Sequence, residues 1–181
     1  MAPERDLRVA WEPISLLFKN EVEEGSRTYS RYKRTHDLLR VMESVRAGDG
    51  NDGVFRTYWE FGKRIHHDRE LKTFSVEEAL VEAGVSTGHA AAYDEAAWDA
   101  EIRRRMDVGL ALAGDDVGTP IIAFDDANGA RVGIFGPVIT RVPETELALQ
   151  LWDGLVQVMT VPGFWELKRT RTEEPDFGDR P

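Results

Sequence analysis

Cysteine is missing from all 181 residues of the sequence. A chain without a thiol forms no disulfide, thiolate zinc site or iron–sulfur cluster, and it offers no cysteine nucleophile. Long apolar runs are missing too, since no stretch reaches the roughly 18 residues of a membrane span, and residues 1–6 do not begin a signal peptide. We therefore expect a cytoplasmic protein that depends on an outside group for any redox chemistry.

Positive charge is scarce relative to negative charge. Lysine and arginine number 23 against 33 acidic residues, which gives a formal net charge of −10. Such a chain is repelled by phosphate backbones and anionic lipids, so we expect neither nucleic acid nor membrane partners. The 41% of hydrophobic residues is enough to form a core, and the length suits one domain or one domain with an insertion.

The beginning of the chain has an alternating pattern. Leu7, Val9 and Trp11 are separated by more polar residues, and the apolar run continues through Pro13 to residue 18. This alternation predicts a strand with a bend at the proline.

Helical spacing dominates residues 28–112. One pattern starts near Tyr29 and stops at the glycine-rich residues 48–53, and a second runs from residue 55 to residues 66–68. Ser75-Val76-Glu77-Glu78 has the form of a capping box, and Gly84 ends the short helix that follows it. A further helix is predicted over residues 89–112.

The period changes after residue 112. Two short apolar runs, residues 120–124 and 131–135, flank the turn residues 126–129 and predict a β-hairpin. A last amphipathic helix begins near Pro143. The order of strand, helical block, hairpin and helix indicates an α/β or α+β protein.

The four histidines do not have the spacing of a metal site. His66 and His67 are adjacent and point in different directions on a helix, while His36 and His89 lack a carboxylate at ligand spacing. We predict no metal. The basic residues 168–171 are expected to cover the protein's own acidic surface.

Several motifs along nearly the whole chain resemble those of one protein group. They are Pro13-Ile14-Ser15-Leu16, Asn20, Arg64-Ile65-His66, Asp116-Val117-Gly118-Thr119-Pro120, Phe135-Gly136-Pro137 and Phe164-Trp165-Glu166-Leu167-Lys168-Arg169-Thr170-Arg171-Thr172. The sequence resembles the DsbA-like branch of the thioredoxin superfamily, and more closely the actinobacterial DsbA-family proteins that include mycothiol-dependent nitroreductases. The resemblance implies an α/β, thioredoxin-like fold. Residues 1–27 and 113–181 would form a partial thioredoxin-like domain, and residues 28–112 a helical insertion.

The resemblance also implies a binding cleft. Pro120 would be the cis-proline beside the active centre, whereas local sequence alone favours a trans proline that opens a strand. Thr119 would offer backbone groups to substrate, Asn20 and Tyr29 would line the thiol or substrate pocket, and His66 would face the same cleft. The alternatives are a turn residue for Asn20, a core residue for Tyr29 and a C-terminal helix cation for His66.

The family's first strand, its Cys-Pro-x-Cys segment and its first helix have no counterpart in the sequence. We expect either a truncated reading frame with these elements encoded upstream, or a degenerate copy that needs a partner strand. An upstream stop codon would argue against the first explanation. Because a missing central strand leaves unpaired edges, we also expect homo-oligomers.

The function that the resemblance implies is a thiol-dependent oxidoreductase. It would reduce a disulfide or a nitro compound with a low-molecular-weight, mycothiol-like thiol as co-substrate and with no bound cofactor, and this chain by itself would be inactive. The alternatives are a non-catalytic thioredoxin-like binding module and a relative of kappa-type glutathione transferases and isomerases.

Overall fold

The computed structural model describes residues 3–181, which divide into two compact units. The helical unit consists of residues 10–107 with Arg180 and Pro181, and the hairpin unit consists of residues 3–9 and 108–179. The mixture of helices and a small sheet agrees with the predicted α/β class at this coarse level. The α-helices and strands, in chain order, are α1 (Leu16–Lys19), α2 (Tyr29–Gly62), α3 (Val76–Glu82), α4 (Asp99–Ala113), β1 (Ile121–Asp125), β2 (Arg131–Phe135) and α5 (Thr145–Met159).

The long helix α2 is two helices joined at Gly50. The backbone of Gly50 has φ 67° and ψ −164°, a combination that only glycine adopts readily. The predicted helix end among residues 48–53 therefore falls on one residue, and helical geometry continues on the other side to Gly62. A π-helical segment, Lys63–His67, completes the second half close to the predicted end.

The two halves of α2 pack against each other and against α3. Leu38, Val41 and Val45 of the first half share one buried cluster with Val54 and Phe61 of the second. The cluster is completed by Met42, Phe74, Val76, Ala79 and Leu80. Ser75 accepts a hydrogen bond from the amide of Glu78 at 3.1 Å, so the predicted cap of α3 is confirmed.

The predicted strand in residues 7–18 is wrong. The segment from Leu7 to Ser15 has no strand geometry, and Leu16–Lys19 forms α1 instead. The amide of Trp11 donates to the side chain of Asn51 at 2.9 Å, and the carbonyl of Trp11 accepts from Arg46. Side chains of α2 thus occupy backbone groups that a strand would need for a neighbouring strand, and Pro13 has no amide to contribute.

The predicted helix over residues 89–112 is correct only from residue 99 onward. Thr87–Asp94 and Ala96–Trp98 are 3-10 turns, separated by an extended Glu95, and α4 begins at Asp99. Ser86 begins the first turn by accepting a hydrogen bond from Gly88 at 3.2 Å. Short polar side chains that bond to nearby amides favour such turns over a continuous helix.

The hairpin unit contains the predicted β-hairpin. β1 and β2 are antiparallel, and Ile121 is paired with Phe135 while Asp125 is paired with Arg131. Asp126 forms the turn by accepting hydrogen bonds from the amides of Asn128 and Ala130, both at 2.8 Å. The predicted last helix is confirmed as α5, which has no fully buried residue. Among residues 3–181, no helix is both long enough and apolar enough to cross a membrane.

Candidate functional site

A groove of about 410 Å³ lies within the helical unit. Its lining comes from α1, from the loop after α1, from the first residue of α2 and from one side chain of α4. The lining residues are Leu17, Phe18, Glu21, Val22, Glu24, Tyr29 and Arg103. The groove is largely open to solvent, and its surface combines apolar, aromatic and charged side chains.

The short helix α1 sets the shape of one side of the groove. Ser15 begins α1 by accepting a hydrogen bond from the amide of Phe18 at 3.2 Å. Asn20 is the C-cap, and Glu21 follows with φ 45°, in the left-handed region. The amide of Val22 donates to the carbonyl of Leu17 at 3.1 Å, which closes the turn. The residues of this turn, from Leu17 to Val22, include four of the residues that line the groove.

The Phe18 ring contacts both the guanidinium of Arg103 and the imidazole of His36. The guanidinium carbon of Arg103 lies 3.8 Å from the centroid of the Phe18 ring, and the His36 ring lies 4.3 Å from it. A guanidinium that stacks on an aromatic ring keeps its N–H groups free at its edge for hydrogen bonds. Phe18 therefore serves as a support for Arg103 at the groove.

A buried polar network lies behind Phe18. The Oγ of Ser15 is 2.9 Å from Nδ1 of His36, and Nε2 of His36 is 3.0 Å from Oδ1 of Asp99. Arg40 donates to both carboxylate oxygens of Asp99, at 2.5 and 2.9 Å. Because a carboxylate only accepts, the neutral imidazole donates from Nε2 and accepts the Ser15 hydroxyl at Nδ1.

The network has consequences for two pKa values. Burial lowers the pKa of His36, and this effect outweighs the attraction of the nearby Asp99 carboxylate. Burial alone would raise the pKa of Asp99, but the hydrogen bond from Arg40 and the neighbouring positive charges lower it overall. A neutral His36 beside an ionised Asp99 is the arrangement that these shifts favour.

Of the predicted site residues, Tyr29 lines the groove. Asn20 is exposed and lies in the sequence between the lining residues Phe18 and Glu21, and its role in binding stays a prediction. Asn20 is the C-cap of α1, which agrees with the alternative interpretation of Asn20 as a turn residue.

His66 lies in the π-helical segment Lys63–His67. Partial burial lowers its pKa, and the positive charges of His67 and Arg31 lower it further. Arg31 is the second residue after Tyr29, so the fold of α2 at Gly50 brings His66 back toward the beginning of the helix. His66 is not among the residues that line the groove, and its role in substrate binding stays a prediction.

Thr119 and Pro120 belong to the hairpin unit and precede β1. Both are exposed, and the peptide bond between them is cis, as is the Gly136–Pro137 bond. The carbonyl of Pro120 accepts a hydrogen bond from the amide of Gly136 at 2.8 Å, which extends the pairing of β1 and β2 by one step.

The sequence interpretation missed Arg103, Glu21 and the support from His36. Ser15 followed by an apolar run carries the signal of a helix start, which could have identified α1. No local pattern links Arg103 to Phe18, because 84 intervening residues separate them. Within residues 3–181, no group of three or more His, Asp or Glu side chains is placed to hold a metal ion.

The Rv2466c-like family model, described as mycothiol-dependent nitroreductase Rv2466c, matches residues 1–169. The matched range includes the groove residues and the Thr119–Pro120 segment.

Proposed function

The chain belongs to the Rv2466c-like family of mycothiol-dependent nitroreductases, and on this premise we propose that it acts in thiol-dependent reduction of a nitro compound or a disulfide. The match over residues 1–169 carries this proposal. The co-substrate is a low-molecular-weight thiol of the mycothiol type. The cytoplasm is the compartment in which such thiols stay reduced.

The absence of cysteine defines what this chain contributes to the reaction. Because its 181 residues include no thiol, the sulfur atoms oxidised in any reaction of these residues alone belong to the co-substrate. Two thiols lose two electrons and two protons as they form one disulfide bond. A nitro group takes up these electrons and protons, loses one oxygen as water and becomes a nitroso group. A disulfide substrate instead takes them up to give two thiols.

The groove supports a binding role for the helical unit. Tyr29, Leu17 and Val22 provide an apolar wall for an organic substrate, and the amide of Asn20 would bind thiol or substrate beside them. A site that holds thiol and acceptor in contact lowers the entropic cost of their encounter. We assign binding, and no covalent step, to these side chains.

We further propose that residues 1–27 and 113–181 are part of a thioredoxin-like domain into which residues 28–112 are inserted. Thr119, beside the cis-proline Pro120, would present its backbone groups to the co-substrate or to an extended substrate. His66 would face the substrate from the helical insertion. Exposure of Thr119 and Pro120 at the start of β1 is compatible with this role.

The experiment combines binding and turnover. Titration calorimetry measures binding of mycothiol to the chain, and the loss of nitroarene absorbance measures the rate with thiol alone and with thiol plus protein. We expect saturable thiol binding and a faster thiol-dependent rate with protein. A rate that equals that of thiol alone, together with no thiol binding, would overturn the proposal.

A second candidate function is a non-catalytic thioredoxin-like binding module. The complete lack of cysteine favours it, because no residue of the chain can act as a thiolate. The binding module is favoured over the oxidoreductase if thiol or substrate binds saturably and the protein does not increase the reaction rate.

A further inference from the structure

The groove has an unequal balance of charged groups. Glu21 and Glu24 contribute two carboxylates to its lining, and Arg103 contributes one guanidinium. Both glutamates are exposed, and Arg103 is exposed as well. A ligand in the groove therefore experiences a net negative charge on the lining, which disfavours anionic molecules.

Arg103 is nevertheless available to a ligand. In the described part of the chain it forms no ion pair with a carboxylate, and its one ring contact is with Phe18 at 3.8 Å. Its neighbour Arg104, in contrast, donates to both carboxylate oxygens of Glu101, at 2.8 and 2.6 Å. The N–H donors of the Arg103 guanidinium, which form a planar fork, are therefore not paired with the carboxylates of Glu21 or Glu24.

Phe18 restricts where that fork can move. The ring of Phe18 also packs against the ring of His36, with the centroids 4.3 Å apart, and His36 is itself buried and hydrogen-bonded to Ser15 and Asp99. A guanidinium that stacks on a fixed ring loses less conformational entropy on binding than a freely moving one. The N–H donors of Arg103 are therefore preorganised to bind a planar acceptor group with two oxygens.

We propose that Arg103, with Glu21 and Glu24, selects neutral nitroaromatic substrates over anionic ones, an inference that rests on the proposed function. The aromatic ring lies against Tyr29 and the aliphatic wall, and the two nitro oxygens accept hydrogen bonds from the Arg103 fork. A nitro group carries partial negative charge on its oxygens but no net charge. It gains these hydrogen bonds without the repulsion that the two carboxylates impose on a carboxylate ligand.

The test measures binding in the absence of thiol. Titration calorimetry at low salt compares 4-nitrobenzyl alcohol, which is neutral, with 4-nitrobenzoate, which is anionic. We expect the neutral compound to bind about tenfold more tightly. In the double variant Glu21→Gln with Glu24→Gln, binding of 4-nitrobenzoate should improve until the preference is lost or reversed. Equal affinities in the native chain would overturn the inference.

A second comparison isolates the nitro group. Arg103→Gln should weaken binding of 4-nitrobenzyl alcohol about tenfold and leave binding of 4-methylbenzyl alcohol unchanged, because only the nitro compound uses the fork. The control Arg104→Gln removes a neighbouring charge outside the groove and should leave both affinities unchanged. Equal losses for the two alcohols in Arg103→Gln would show a merely structural role and overturn the assignment.

The two proposals can fail separately. Charge selection with no thiol-dependent turnover would remove the proposed function and leave the binding preference intact. Thiol-dependent turnover with equal rates and affinities for neutral and anionic nitroarenes would retain the enzyme and overturn the role of Arg103, Glu21 and Glu24. Thermal unfolding of each variant, followed by circular dichroism, checks that the native fold is kept.

Discussion

The hydroxyl oxygen of Ser15 lies 2.9 Å from Nδ1 of His36, and this contact joins α1 to α2. Ser15 also accepts the amide of Phe18, so one side chain both begins the short helix and anchors it. The other imidazole nitrogen reaches Asp99 at the start of α4. A single buried histidine therefore connects the three elements that contribute the groove lining.

Replacement of this histidine should destabilise the protein strongly. His36→Ala removes the ring, leaves the buried hydroxyl of Ser15 without its acceptor and leaves Oδ1 of Asp99 with its hydrogen bond from Arg40 alone. We expect the free energy of unfolding to fall by about 2–4 kcal/mol, from the unpaired hydroxyl and the cavity. Urea unfolding followed by circular dichroism measures the change. His66→Ala, at an exposed position, should change it by about 0.5 kcal/mol or less; similar losses in both variants would contradict the network.

The same residue predicts how stability depends on pH. Burial lowers the pKa of His36 in the folded state, so the unfolded chain, with a histidine pKa of about 6.5, takes up the proton first. The free energy of unfolding should therefore fall as the pH drops from about 6.5 toward the lower folded pKa. Urea unfolding at several pH values between 7.5 and 5 should show this fall. His66, whose pKa is also lowered, adds a slope of the same sign.

The control for the pH prediction is the His36→Ala variant. It lacks the titrating group, so its stability should change less over the same pH range. Parallel curves for the native chain and the variant would assign the pH dependence to other groups.

Gly50 should tolerate no side chain. Its φ of 67° and ψ of −164° lie in a region that is essentially restricted to glycine, so Gly50→Ala should cost about 1–3 kcal/mol. Gly62 offers a matched comparison because it is helical, with φ −59° and ψ −44°, and a Cβ there would meet no atom within 4 Å. Gly62→Ala should stabilise the protein by up to about 1 kcal/mol. Thermal unfolding measures both, and a stabilising Gly50→Ala would contradict the break in α2.

Thr57 carries a buried hydroxyl without a partner among the described residues, and its side chain is fully buried. Thr57→Val keeps the shape and removes the unpaired group, so we expect a gain of about 1 kcal/mol in the free energy of unfolding. The matched variant Thr35→Val removes a hydroxyl that donates to the carbonyl of Tyr32 at 2.9 Å. This variant should be neutral or destabilising. A loss of stability in Thr57→Val would indicate that its hydroxyl has a partner.

Local signals predicted much of the secondary structure. The cap at Ser75, the hairpin turn at Asp126 and the start of α5 each depend on a few neighbouring residues, and the structure contains all three. The secondary-structure prediction failed in residues 7–18, where the alternation of apolar and polar residues predicts a strand. A strand also needs a neighbour, and the side chains of Asn51 and Arg46 occupy the backbone groups of Trp11 instead.

The candidate site was predicted only in part, and for a related reason. The resemblance placed Asn20 and Tyr29 at a pocket; Tyr29 lines the groove, and the binding role of both residues stays a prediction. Arg103, Phe18 and His36 come from three separate parts of the chain, and no spacing along the sequence links them. Their contacts exist only because α1 and α4 both pack against α2.

The sequence by itself determined the absence of a thiol, the negative charge, the cap at Ser75, the hairpin turn and α5, because each depends on composition or on near neighbours. Only the tertiary structure decided that residues 7–15 form no strand, that α2 turns at Gly50 and that Arg103 stands over Phe18. Those outcomes depend on which distant groups satisfy buried donors and acceptors, and that pairing is made when the chain folds.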